Sequence, residues 1–172
     1  MIDQVVTKKM LLLFTLSLFV QVTIAQPGKY AGTKRSMIGK VFTESRNLAA
    51  LKGWTFMEGG LSNSIDDPER IVSDVYKKGT TYLVLYSIME DTASDKFTVV
   101  DVLEITGVAK GWSVRSSFCR KNETENSYII AWGKENKEQY MKLIKKAWKF
   151  DPDRRRINAI PVKGIDCENV GC

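Results

Sequence analysis

Histidine is missing from this 172-residue chain. Imidazole, with an unperturbed pKa of about 6.5, is the group that most often moves protons near neutral pH, so Ser-His-Asp and Cys-His catalysis are excluded. Histidine-ligated zinc, haem and non-haem iron centres go with them. Cysteine is scarce, three residues without a Cys-x-x-Cys pair, which argues against a thiolate zinc site. There is no P-loop, dinucleotide fingerprint, EF-hand loop or nucleophile elbow, no internal repeat and no low-complexity tract. An enzyme built from this chain must rely on carboxylates, lysine, tyrosine or a thiol, and nothing in it calls for a cofactor or a metal.

What is present suits one folded domain: the length is that of a single core, and 44% of the residues are hydrophobic. Near the start, Lys8 and Lys9 precede an almost wholly apolar, uncharged run over residues 10–20, which closes on Thr23 and Ala25. That pattern predicts a secretory signal peptide over residues 1–25, cleaved before Gln26, with the product in the periplasm or outside the cell. The run is short for a bilayer crossing, though an uncleaved anchor is the alternative. Loss of Asp3, Lys8 and Lys9 lowers the net charge from +6 to +5. That excess is mild, and export makes nucleic acid an improbable partner.

An oxidising compartment invites a disulfide. Cys119 with Cys167 is the favoured pair, since it would staple the C-terminal tail to a strand, and chain entropy puts such a closure at up to about 4 kcal/mol. Cys167 with Cys172 is the competitor, and Cys172 otherwise stays free or pairs between molecules.

Residues 26–36 read as a flexible lead-in, and residues 37–172 as one α+β domain. A weak helical pattern covers residues 41–51. In "DDPERIVSDVYKKG", Asp67 and Pro68 suit a helix start, Gly79 suits its end, and Ile71, Val72, Val75 and Tyr76 share one side. Four β-branched and aromatic stretches between residues 80 and 133 then predict an antiparallel meander of four to five strands. "RINAIPVKGIDC" adds a strand near an edge, where Pro161 is tolerated.

Between sheet and tail, a helical wheel gathers Tyr140, Leu143, Ile144, Ala147 and Trp148 on one side and Lys142, Lys145, Lys146 and Lys149 on the other. This predicts a long amphipathic C-terminal helix covering the sheet. Its basic face, extended by Arg154, Arg155 and Arg156, is either an ordinary solvated surface or a site for anionic glycans or lipid headgroups.

Asp101 is the carboxylate most worth questioning. On a regular strand "FTVVDVLEI" it shares a face with Phe97, Val99, Leu103 and Ile105, and burial there would make it a candidate general acid for a hydrolase. The plainer reading is a hydrogen-bonded residue near an edge or bulge, with Arg115 as counterion. Trp54, Trp112, Trp132 and Trp148 could form a sugar platform, yet each lies in a segment that already calls for a core residue.

"IKKAWKFD" followed by "GIDCEN" resembles small exported proteins of uncharacterised function from Bacteroidota, over the C-terminal third of the chain. The resemblance implies a Gram-negative cell envelope and no particular activity, and Cys172 lies outside the pattern. The leading expectation is a non-enzymatic binding or interaction module of the envelope, holding a small apolar ligand or an envelope protein in a groove between sheet and helices or on an exposed sheet face.

Overall fold

The computed structural model describes residues 30–67, 69–89 and 94–169. The expected signal peptide, its cleavage point and Cys172 lie outside them. Among the described residues a single α-helix, α1 (Ala31–Met37), is followed by β1 (Val41–Phe42), two 3-10 turns (Ser45–Asn47 and Ala49–Leu51), β2 (Thr55–Leu61), β3 (Arg70–Lys78), β4 (Thr81–Met89) and β5 (Phe97–Ile105). The second half holds β6 (Trp112–Ser116), β7 (Cys119–Lys121), β8 (Thr124–Glu125), β9 (Ile129–Lys134), β10 (Tyr140–Met141), β11 (Ile144–Asp151), β12 (Arg156–Ile160) and β13 (Ile165–Glu168).

These strands form three antiparallel sheets. The five-stranded sheet runs β1-β5-β4-β3-β2, the central sheet β12-β11-β9-β6, and the outer sheet β10-β13-β7-β8. Ile71, Val75, Tyr82, Val84, Tyr86 and Ile88 of the first pack on Val114, Ile130, Trp132 and Phe150 of the second, making a two-sheet sandwich. At its centre the Tyr86 and Phe150 rings stack, centroids 4.3 Å apart. The far face of the central sheet meets the outer sheet through Ile129, Ala131, Ala147, Met141 and Ile165. The far face of the five-stranded sheet is covered by Met37 and Leu51 over Tyr76, Leu83, Leu85, Val99 and Val102. Every residue of β4 is buried, because this strand has a covered sheet face on both sides and a neighbour along each edge.

The fold is therefore almost entirely β, which overturns the α+β expectation. No long C-terminal helix exists: residues 144–151 are strand β11, paired with β9 and β12. The expected helix after Asp67 is strand β3, and the early helix is the pair of 3-10 turns. The four strand-like stretches do form strands, but they divide between two sheets, β4 and β5 in one and β6 and β9 in the other. Helix α1 falls where a lead-in was expected, and its Met37 is fully buried. The strand expected near Pro161 is present as β12 and β13, on either side of that residue.

Two bulges explain the misread periods. In β11 the pairing with β9 shifts between Ile144 and Lys146, so Ile144 and Ala147, three apart, both face the outer sheet. Trp148 and Phe150 face the sandwich instead. A strand that changes parity in this way displays spacings of three and four, which mimic a helix. In β5 a shift opposite Tyr86 and Ser87 turns Val99 and Val102 to the same side.

Candidate functional site

On the outward face of the five-stranded sheet, the segment linking β1 to the first 3-10 turn bridges a hollow of ≈ 460 Å³. Its aromatic walls are Phe42 and Phe97, stacked with centroids 5.8 Å apart across the β1–β5 pair, and Phe56 of β2. Leu61 and Val72 add apolar surface, Thr43, Glu44, Ser45 and Arg46 come from the bridging segment, and Asp74 rises from β3. Strand alternation sets Val72, Asp74 and Tyr76 on this face, while Ile71 and Val75 enter the sandwich.

Asp74 sits opposite Gly59 in the β2–β3 ladder. A Cβ at Gly59 would overlap Asp74 Oδ1 and press on the Phe56 ring, so only glycine leaves room for the carboxylate there. Asp74 accepts a hydrogen bond from Ser45. Since an ionised carboxylate only accepts, the Ser45 proton points at Asp74, and the Tyr76 hydroxyl donates to Ser45 Oγ at 2.6 Å. Burial raises the Asp74 pKa above its ordinary value, with the Ser45 hydrogen bond and the Arg46 charge opposing. Burial likewise pushes the Tyr76 phenol up to about 12, the Ser45 contact opposing and the Asp74 charge adding. The Arg46 guanidinium lies over the Phe56 ring, 4.7 Å from its centroid.

A second polar group fills the seam between the two sandwich sheets. Glu58, on the inward side of β2, accepts from Arg115 Nη1 at 3.0 Å and from the Ser116 amide at 2.6 Å. Burial raises the Glu58 pKa, against the Ser116 amide and the Arg115 charge. Beside it Ser116 Oγ donates to Ser73 Oγ at 2.9 Å, and Ser73 and Ser117 share a bond of 2.6 Å. These groups are spent on one another and join the sheets.

Asp101 lies at the β5 bulge, where its carboxylate accepts from the Val102 amide at 2.8 Å and from the Ile157 amide of β12 at 2.7 Å. Its nearest cation is Lys34, 3.7 Å away, while the expected counterion Arg115 belongs to Glu58. The bulge also separates it from Val99, which faces the other way. Both of its oxygens are thus committed to joining β5 to β12 and α1, the plainer of the two expected roles.

The helix whose face was to gather the basic residues is absent, and strand β11 stands in its place. Lys142 lies 3.9 Å from Glu138. Lys145 sits 4.4 Å from the centroid of Trp132 and Lys146 5.9 Å from it, two successive residues brought to one indole by the bulge. Lys149 is half-buried in mid-strand. In the β11–β12 turn Arg154 pairs with Asp151 at 3.7 Å and Arg155 with Glu69 at 2.9 Å, while Arg156 is exposed.

Cys119 and Cys167 are bonded, directly opposite each other on β7 and β13, so the tail is stapled into the outer sheet as expected. All four tryptophans are packed, Trp132 within the sandwich core, Trp112 and Trp148 against it and Trp54 under the N-terminal cover. Among the described residues no cluster of acidic or cysteine side chains could hold a metal ion, and no helix is long and apolar enough to cross a membrane.

Sequence reasoning missed Asp74, Ser45 and Tyr76. One signal was available: in "IVSDVY" an acid alternates with Val72 and Tyr76, which on a strand places a carboxylate in an apolar row. Comparison with known proteins gives no match to any family model, curated protein or solved structure. Function therefore has to be read from the chemistry of the hollow.

Proposed function

We propose that this chain is an exported, non-enzymatic binding module that holds a small organic ligand in the hollow between the β1–3-10 segment and the five-stranded sheet. One observation carries the reading: a half-buried carboxylate, Asp74, held by Ser45, which Tyr76 holds in turn, lines a space walled by Phe42, Phe56 and Phe97. An apolar container with a few convergent polar groups is the usual form of a small-molecule site, and ≈ 460 Å³ is within the range of such sites. Binding is favoured over turnover because Ser45 and Tyr76 are themselves buried and their protons are committed to orienting Asp74. The signal-like N-terminus and the likeness to exported envelope proteins support secretion, with Gln26 as the first residue of the mature chain.

Native mass spectrometry of the full chain, purified gently from its own envelope fraction, tests the reading. A non-covalent adduct is expected on the native protein and is expected to be lost from Gly59→Ala, whose new Cβ displaces the carboxylate. A native protein that carries no adduct and gains no thermal stability from any member of a broad metabolite set would end the proposal. Intact Met1 on cytosolic material would end the export half of it.

A further inference from the structure

We infer that the ligand of this hollow is an organic cation, an ammonium or guanidinium group on an apolar stem, and that Arg46 occupies part of its place until it binds. The inference rests on the binding role proposed above and narrows its chemistry. The charged residues lining the hollow are Glu44, Asp74 and Arg46, so with both acids ionised the lining is net negative in a chain of net charge +6.

Asp74 is half-buried and has no ion pair among the described residues, and its desolvation is only partly offset by the Ser45 hydrogen bond and the more distant charge of Arg46. A cation placed there would complete the pairing. The aromatic walls favour the same charge, because the face of a phenylalanine ring is electronegative and attracts ammonium and guanidinium groups. Phe56 already holds one such group, the guanidinium of Arg46. Arg46 is itself exposed and sits on a 3-10 turn, so water can replace its contacts when it swings away. An anionic or purely apolar ligand would leave Asp74 as costly as before, or costlier.

Three probes with six-carbon stems separate the possibilities: hexylammonium, 1-hexanol and hexanoate, titrated into the full chain by calorimetry and followed by NMR at Phe42, Phe56 and Phe97. Hexylammonium is expected to bind at the three phenylalanines about tenfold or more tighter than hexanol, with hexanoate weakest. Asp74→Asn and Glu44→Gln are each expected to reduce that preference, and Arg46→Gln to increase hexylammonium affinity by removing a competitor. Opposite directions at Asp74 and Arg46 cannot come from general destabilisation, and Glu44→Gln, at an exposed position, serves if Asp74→Asn does not fold. Hexanol or hexanoate binding at the phenylalanines as tightly as hexylammonium overturns the cation inference and leaves the binding role intact. No binding of any probe at these residues overturns both.

Discussion

Arg115 Nη1 lies 3.0 Å from Glu58 Oε2, an ion pair laid across the seam where the edge strand of one sheet meets the edge strand of the other. Both side chains are largely buried, 14% and 10% exposed, so neither charge can be satisfied by water if its partner is removed. Arg115→Leu is expected to destabilise the fold by about 3–5 kcal/mol, while the double change Arg115→Leu with Glu58→Leu should cost much less. Urea denaturation of both variants measures the difference. Equal losses would mean that the pair contributes no more than its packing.

The raised pKa of Asp74 makes a pH dependence with a defined sign. In the unfolded chain this carboxyl titrates near its ordinary value of 3.8, and in the folded chain it titrates higher. Its contribution to stability is therefore full below the unfolded value and is lost as pH rises through the folded one. Relative to Asp74→Asn, which does not titrate, the native protein should lose stability as pH rises from the carboxyl's ordinary value of 3.8 through the higher folded-state value. Denaturation midpoints for the two proteins across that range supply the test; Glu58, raised in both, cancels from the difference.

Removing the bond between Cys119 and Cys167 releases a sequence separation of 48 residues in the unfolded chain. Cys119→Ala with Cys167→Ala is expected to cost about 4 kcal/mol, chiefly through unfolded-state entropy. The same loss should follow from reductant acting on the native protein, and thermal unfolding with and without reductant compares the two routes.

Asp101 should behave as an anchor. Asp101→Ala leaves the Ile157 amide without its acceptor and is expected to cost about 1–3 kcal/mol. Ligand retention in the hollow should be unchanged once the variant is folded. A folded Asp101→Ala protein that has lost its ligand would move the candidate site toward β5.

Much of the strand content was legible because Val, Ile, Tyr and Trp crowd residues 80–133, and the cysteine pairing followed from the expectation that the tail is stapled to a strand. The helices were misread for a physical reason. β3 is covered on both faces, so Ile71, Val72, Val75 and Tyr76 lose the alternation that marks a half-exposed strand. In β11 the irregularity at Lys145 turns a period of two into spacings that a helix would give. Asp74 escaped notice for a related reason: taken as part of a helix, it belongs to a solvated side, whereas on a strand it lies in the same row as Val72 and Tyr76. Ser45 was beyond reach of any local pattern, since it meets Tyr76 across 31 positions of chain.

The burial of β4 on both sides has a cost during folding. Tyr82, Val84, Tyr86 and Ile88 share their core with residues of β6, β9, β11 and β12, all later in the chain. Until those strands pack, the hairpins of β3, β4 and β5 present a flat apolar surface that a second nascent copy can stack upon. Fragments ending before Trp112 should therefore precipitate.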